Sequence, residues 1–245
     1  GKSHFVKNVA NFLESLGWMV LKVKFKRGNE HGSREIVSSL FENLIANLVE
    51  MVDDEDEDVV DYHRRAVEAI SKELDQTSLS CLAVFIPGII DLIPDIEIDN
   101  SQIDEAGMSP WQLVFSLSKL LGAILSLGRR IMVCLDDLQW CDGTMLELLK
   151  EIILFIGEHD KARQNFLFVG MYRSNEIDES PPFSNRLFSA LRKSNQVNIT
   201  EMKLTSLSRE DVADMIMSEL RLPRRLVSGL ADVVQMRASG HAIFV

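Results

Sequence analysis

Apolar positions recur with helical spacing, then with strand spacing, and the two alternate almost to the C-terminus. In residues 4–16, Phe5, Val9, Phe12, Leu13 and Leu16 fall on one helical face, and Gly17 closes the run. Residues 19–25 read as a strand. Its second half alternates apolar with lysine (Leu21, Lys22, Val23, Lys24, Phe25), the pattern of a wet face or a sheet edge. Two amphipathic helices are predicted at 33–52 and 62–74. Segment 75–108, with Pro94 and several acids in its second half, reads as an irregular insertion. A helix over 111–127 carries Val114, Leu117, Leu120, Leu121 and Ile124 as its stripe. The unbroken run Ile131, Met132, Val133, Cys134, Leu135 predicts a strand buried on both faces of a parallel sheet. A helix over 145–156 follows, then a second buried strand at 166–171 and a third strand candidate at 197–204. Ser208 and Asp211 have capping-box spacing and open a helix with Val212, Met215, Ile216 and Leu220 on it. Pro223 separates that helix from another over 224–236. The order predicts an α/β fold with a mostly parallel sheet over 1–204 and a small helical part over 205–245.

Charge narrows the choice of partners. There are 26 basic and 37 acidic residues, a net of −11. Six of the acids form one run, Asp53, Asp54, Glu55, Asp56, Glu57 and Asp58, and without them the balance is still −5. Such a chain is a poor electrostatic match for DNA, RNA or an anionic membrane, and the run itself reads as a solvated loop. Cys81, Cys134 and Cys141 are odd in number and form no CxxC pair, which speaks against a disulfide framework or a zinc ribbon. No apolar stretch approaches the ~20 residues of a membrane span. A cytoplasmic setting is expected. The abrupt opening at Gly1-Lys2-Ser3 reads as a cut within something longer.

That tripeptide, directly ahead of an amphipathic helix, matches the tail of G-x-x-x-x-G-K-[ST]. In such a loop glycine lets backbone amides close on phosphate oxygens, and the helix N-terminus adds its positive dipole end. Lysine reaches the β and γ phosphates and the hydroxyl holds Mg²⁺, which makes Gly1, Lys2 and Ser3 candidate nucleotide-binding residues. Asp136 and Asp137 end the buried strand at 131–135, facing the crevice where open α/β sheets bind ligands. The first suits the Mg²⁺ shell, and the second suits polarising a water. Arg173 ends the next strand, where a guanidinium can touch a γ phosphate; Ser174 and Asn175 beside it are weaker candidates. Asp142 has the look of a cap for the following helix. The five histidines are scattered without metal-ligand spacing. Trp18, Trp111 and Trp140 read as packing anchors, and nothing near Cys141 clearly lowers its pKa.

GKSHFV, LDDLQWCD, FLFVGMYRSNE, the Leu204–Asp211 entry and the closing Ser239-Gly-His-Ala-Ile-Phe-Val together resemble the ATPase module of the signal-transduction ATPase (STAND) class. This is an AAA-type P-loop ATPase related to origin-recognition ATPases, and the resemblance spans nearly the whole chain. LDDLQWCD is its most specific element. The resemblance implies a P-loop NTPase three-layer sandwich whose first strand lies upstream of Gly1, with the Walker A loop cut, followed by a helical lid from 205. It implies an ATP-binding, slowly hydrolysing switch inside a multidomain signalling protein, with ATP and Mg²⁺ as cofactors. Lys2 and Ser3 would be the phosphate-loop residues, Asp136 and Asp137 the Mg²⁺ and catalytic acids, and Arg173 the sensor. Its partners would be ATP or ADP, sister domains or signalling proteins, and a nucleotide-dependent oligomer. One departure stands out: where the family's lid carries Gly-x-Pro by the adenine, this chain has Gly240-His241-Ala242. A nucleotide-holding scaffold without turnover is the alternative, and a DNA-binding initiator, disfavoured by a pI near 5.0, comes third.

Overall fold

The structure, a computed structural model, describes residues 2–27, 32–94, 96, 109–173 and 187–238. Among these it is an α/β protein of eleven helices and one three-stranded, all-parallel sheet. The chain divides into two compact units, Ala10–Ile199 and a smaller one made of Gly1–Val9 with Thr200–Val245.

Helix α1 (Lys2–Ser15) ends at Gly17, whose φ of +80° suits a residue without Cβ. Strand β1 (Met19–Lys24) follows, then α2 (Gly32–Glu50), α3 (Glu57–Glu73), α4 (Gln76–Phe85), the short α5 (Ile89–Leu92) and α6 (Pro110–Ser126). Next come β2 (Ile131–Asp136), α7 (Gly143–Glu158), α8 (Asp160–Gln164), β3 (Phe166–Gly170) and α9 (Ser189–Lys193). β2 is the central strand. Met19 pairs with Ile131 and Lys24 with Asp136 on one side, and Ile131 pairs with Phe166 and Leu135 with Gly170 on the other. Ile131 through Leu135 are all buried, as their unbroken apolar run predicts. β1 keeps the alternation of an edge, with Met19 and Leu21 buried and Lys22 and Lys24 exposed. Lys22 pairs with Glu14 of α1 at 3.0 Å.

The core is largely helical. Leu44, Ile45 and Leu48 of α2, Ile70 of α3, Leu82 of α4 and Leu117, Leu120, Ile124 and Leu125 of α6 are buried in one continuous cluster with Ile131, Val133 and Leu135 of β2. α6 touches α3, α4, α7 and α8, which makes it the pillar of the larger unit. In the smaller unit α10 (Arg209–Leu220) and α11 (Arg224–Ala238) form a hairpin on Val212, Ala213, Ile216, Val227 and Ala231. The capping box is in place: the Asp211 N–H donates to Ser208 Oγ at 3.1 Å, and the Ser208 N–H donates to Asp211 Oδ2 at 2.8 Å.

Four expectations are corrected. Segment 75–108 is not irregular throughout, because 76–85 and 89–92 are helical; Asp75 caps α4, accepting from the Ser78 N–H at 2.9 Å. Residues 97–108 lie outside the described residues. The predicted stripe of α1 is not its packed face: Phe5, Phe12 and Leu16 are exposed, and the buried positions are Val6 and Ala10. β3 is half-buried along its whole length rather than buried, since it pairs with β2 alone among the described residues. Residues 197–204 form no strand. Their backbone has no strand neighbour among the described residues, and Thr200 to Leu204 are exposed. No helix among the described residues is long and apolar enough to cross a membrane.

Candidate functional site

The C-terminal ends of the three strands bring together side chains from three separate stretches of sequence. β2 delivers Asp136 and, one residue on, Asp137. Asp137 adopts a left-handed backbone, φ 53° and ψ 44°, a conformation that short polar side chains tolerate better than others. Its carboxylate is largely buried, at 11% side-chain exposure, against 17% for Asp136. A buried carboxylate demands partners, and Asp137 has them. Lys24 Nζ lies 3.0 Å from its Oδ2, Arg173 Nε lies 3.3 Å from its Oδ1, and Gln139 Nε2 donates to Oδ1 at 3.3 Å. Lys24 Nζ also stands 3.5 Å from Asp136 Oδ2.

Backbone contacts fix the arrangement. The Phe25 N–H donates to the Asp136 carbonyl at 3.0 Å, holding the end of β1 in register. The Leu138 N–H donates to the Met171 carbonyl at 2.9 Å, and the Met171 N–H to the Leu135 carbonyl at 2.8 Å, which ties the turn after β2 to the end of β3. The Asp137 N–H donates to Asp136 Oδ1 at 2.9 Å. Gln139 works at both ends of its amide: its nitrogen donates to Asp137, and its oxygen accepts the Arg173 N–H at 3.3 Å. Arg173 thus reaches the site with its side chain while its backbone is tethered to the β2 turn.

Electrostatics follow from this geometry. Burial would raise the Asp137 carboxyl; the Lys24 and Gln139 hydrogen bonds and the Lys24 and Arg173 charges outweigh it and hold the group below the ordinary carboxylate value. The hydrogen bond to Asp137 and the charge of Asp136 in turn raise Lys24 above the usual lysine value. Asp137 is therefore ionised at neutral pH and engaged through both oxygens.

The turn continues into α7. Asp142 caps it as its sequence position suggests, accepting from the Thr144 and Met145 N–H groups at 2.9 Å each. Its own N–H donates to the buried Ser33 Oγ of α2 at 3.2 Å. Asp142→Ala is expected to lower stability by about 1 kcal/mol, the usual loss for an N-cap, measured by urea denaturation followed by circular dichroism. Cys141 between them is buried. Burial and the Asp142 charge push its thiol up, only partly offset by a Ser33 hydrogen bond, and so favour the protonated form.

The structure thus gathers Asp136, Asp137 and Arg173, three of the residues picked from sequence. Lys2 and Ser3 open α1 and belong to the smaller unit; both are exposed. Gly1, Ser174, Asn175 and the Gly240-His241-Ala242 segment lie outside the described residues. Lys24 and Gln139 are the site residues that sequence reasoning missed. Lys24 stood in view as the last wet position of the β1 alternation, but its partner is set by strand register. Among the described residues no group of three or more His, Cys, Asp or Glu side chains is gathered to hold a metal. The donor chemistry of two carboxylates nevertheless suits a hard cation that keeps water and ligand oxygens in its shell, as Mg²⁺ does. No family model, curated protein or solved structure matches the chain.

Proposed function

We propose that this chain is an Mg-ATP-binding, slowly hydrolysing switch module of the P-loop ATPase type, acting within a larger signalling protein. One observation carries the reading: two carboxylates stand at the C-terminal end of the central parallel strand, with an arginine from the end of the next strand set against them. Open α/β sheets bind ligands just outside that end of their strands. In this reading Asp136 holds Mg²⁺, which neutralises charge on the β and γ phosphates when bound. Asp137 orients and polarises the attacking water, and Arg173, already tied to Asp137, registers the γ phosphate. The assignment of phosphate contacts to Gly1, Lys2 and Ser3 rests on the G-K-S pattern ahead of α1. A three-layer P-loop sandwich with one more strand is the finer fold we propose.

A scaffold that holds nucleotide without turning it over is the second reading. It is favoured by the engagement of both Asp137 oxygens, which leaves that carboxylate a weak base as it stands.

The test uses a chain extended ahead of Gly1 by a strand and G-x-x-x-x, so that the phosphate-loop pattern is whole. Calorimetric titration is expected to give micromolar Mg-ATP binding, about −8 kcal/mol, which Lys2→Ala abolishes. Asp136→Asn should weaken binding in Mg²⁺ by about tenfold, as expected for losing one carboxylate ligand, and leave binding in EDTA unchanged. Equal Mg-ATP affinity in Asp136→Asn and its parent would remove the acid pair from the nucleotide site.

A further inference from the structure

We infer that Lys24 is the resident counter-ion of the acid pair, and that a divalent cation reaches Asp136 by displacing its ammonium group. The inference rests on the cation-holding role proposed above and adds a built-in competitor to it. One ammonium bridges both carboxylates, 3.0 Å from Asp137 Oδ2 and 3.5 Å from Asp136 Oδ2. Asp136 is the carboxylate that would hold a hard cation, and the ammonium stands against it. Arg173 and Gln139 hold the other oxygen of Asp137, and the Asp137 N–H occupies the other oxygen of Asp136. The arrangement therefore keeps the carboxylates oriented while Lys24 alone, among these partners, sits where the cation would.

Two further features make displacement physically reasonable. Lys24 ends a strand that is an edge among the described residues, and its side chain is 58% exposed, so the ammonium can swing into water without unpacking anything. Charge also requires it. Lys24 and Arg173 already stand against the two carboxylates, and a dication added beside both would meet two like charges at close range. Release of the lysine relieves that repulsion, while Arg173, on the other oxygen of Asp137, can stay in place.

Mn²⁺ is the probe, with bound and free ion resolved by the electron paramagnetic resonance of the hydrated ion. The 245-residue chain is compared with Lys24→Gln and Lys24→Arg. Lys24→Gln should bind Mn²⁺ about three- to tenfold more tightly, the range for removing one partly exposed charge from beside a site. Lys24→Arg should stay close to the parent. A second measurement needs no variant: amine labelling of the parent, read by mass spectrometry, should rise at Lys24 as Mg²⁺ is added and stay constant at Lys22, which pairs with Glu14. Equal or weaker Mn²⁺ binding by a folded Lys24→Gln, or unchanged Lys24 labelling while Mn²⁺ still binds, would overturn the displacement and leave the acid pair as the cation site. Absence of saturable Mn²⁺ binding in both the parent and Lys24→Gln would overturn the cation-holding role and the displacement together.

Discussion

Asp137→Asn is expected to keep ATP bound while slowing its hydrolysis by about 10²-fold or more, the effect of losing a positioned base. The amide keeps the size of the carboxylate but carries no charge, so it polarises a water poorly. It also removes the ionic partner that Lys24 and Arg173 share, leaving Lys24 with Asp136. Single-turnover phosphate release and calorimetric ATP binding, both on the chain with a whole phosphate loop, separate the two effects. A variant that turns over as fast as its parent would take Asp137 out of the chemistry. If parent and variant both bind nucleotide and neither hydrolyses it, the scaffold reading stands in place of the switch.

The second large effect is on stability. Phe25, just past β1, is 1% exposed, and its N–H holds the Asp136 carbonyl. Phe25→Ala empties a ring-sized volume in the core beside the strand ends, and such truncations cost about 3–5 kcal/mol. In a chain of this length that corresponds to a fall in Tm of roughly 10 °C, read by scanning calorimetry. The site should suffer with the fold, because loss of this anchor frees the end of β1 that presents Lys24. Val23→Ala, at a half-buried position on the same strand, serves as the milder comparison.

Much of this architecture was legible where one local signal sufficed. The unbroken run 131–135 marked the central strand, because a strand covered on both faces has no polar side to reveal. The Ser208–Asp211 spacing located the start of α10, because the capping box is a contact between near neighbours in sequence. Local signals failed where burial is uniform or partners are remote. In α4, Leu79, Leu82, Ala83 and Phe85 are buried along with Ser78 and Ser80, so no amphipathic period announces the helix. The apolar residues Val197, Ile199, Met202 and Leu204 suit a strand, but a strand exists only where a neighbour offers backbone partners, and local pattern does not report neighbours. The stripe of α1 was read one face off, because spacing alone did not separate Phe5 and Phe12 from Val6 and Ala10.

The candidate site divides along the same line. Asp136, Asp137 and Arg173 are strand-end residues, and a strand end can be counted along the sequence. Lys24 is more than a hundred positions from Asp137, and only the parallel register of β1 on β2 brings it there. Gln139 lies inside the motif that drew attention to the acids, yet its role needs the Arg173 backbone to be near.

The left-handed turn at Asp137 has a consequence for what the position can become. Along a regular strand, successive side chains point to opposite faces; the turn breaks that rule, and two neighbouring carboxylates meet one lysine. A side chain branched at Cβ is badly strained in this conformation, and most others pay roughly 1–2 kcal/mol there. Glycine fits without strain, and asparagine and aspartate itself fit with less than most others. Sequence drift at this position is thereby confined to a very small alphabet, of which aspartate alone supplies the charge. An alanine scan would fold backbone strain into its result and overstate the carboxylate. A random library at position 137, selected for folding and nothing else, should return mainly those three residues, and a second selection for function should leave one.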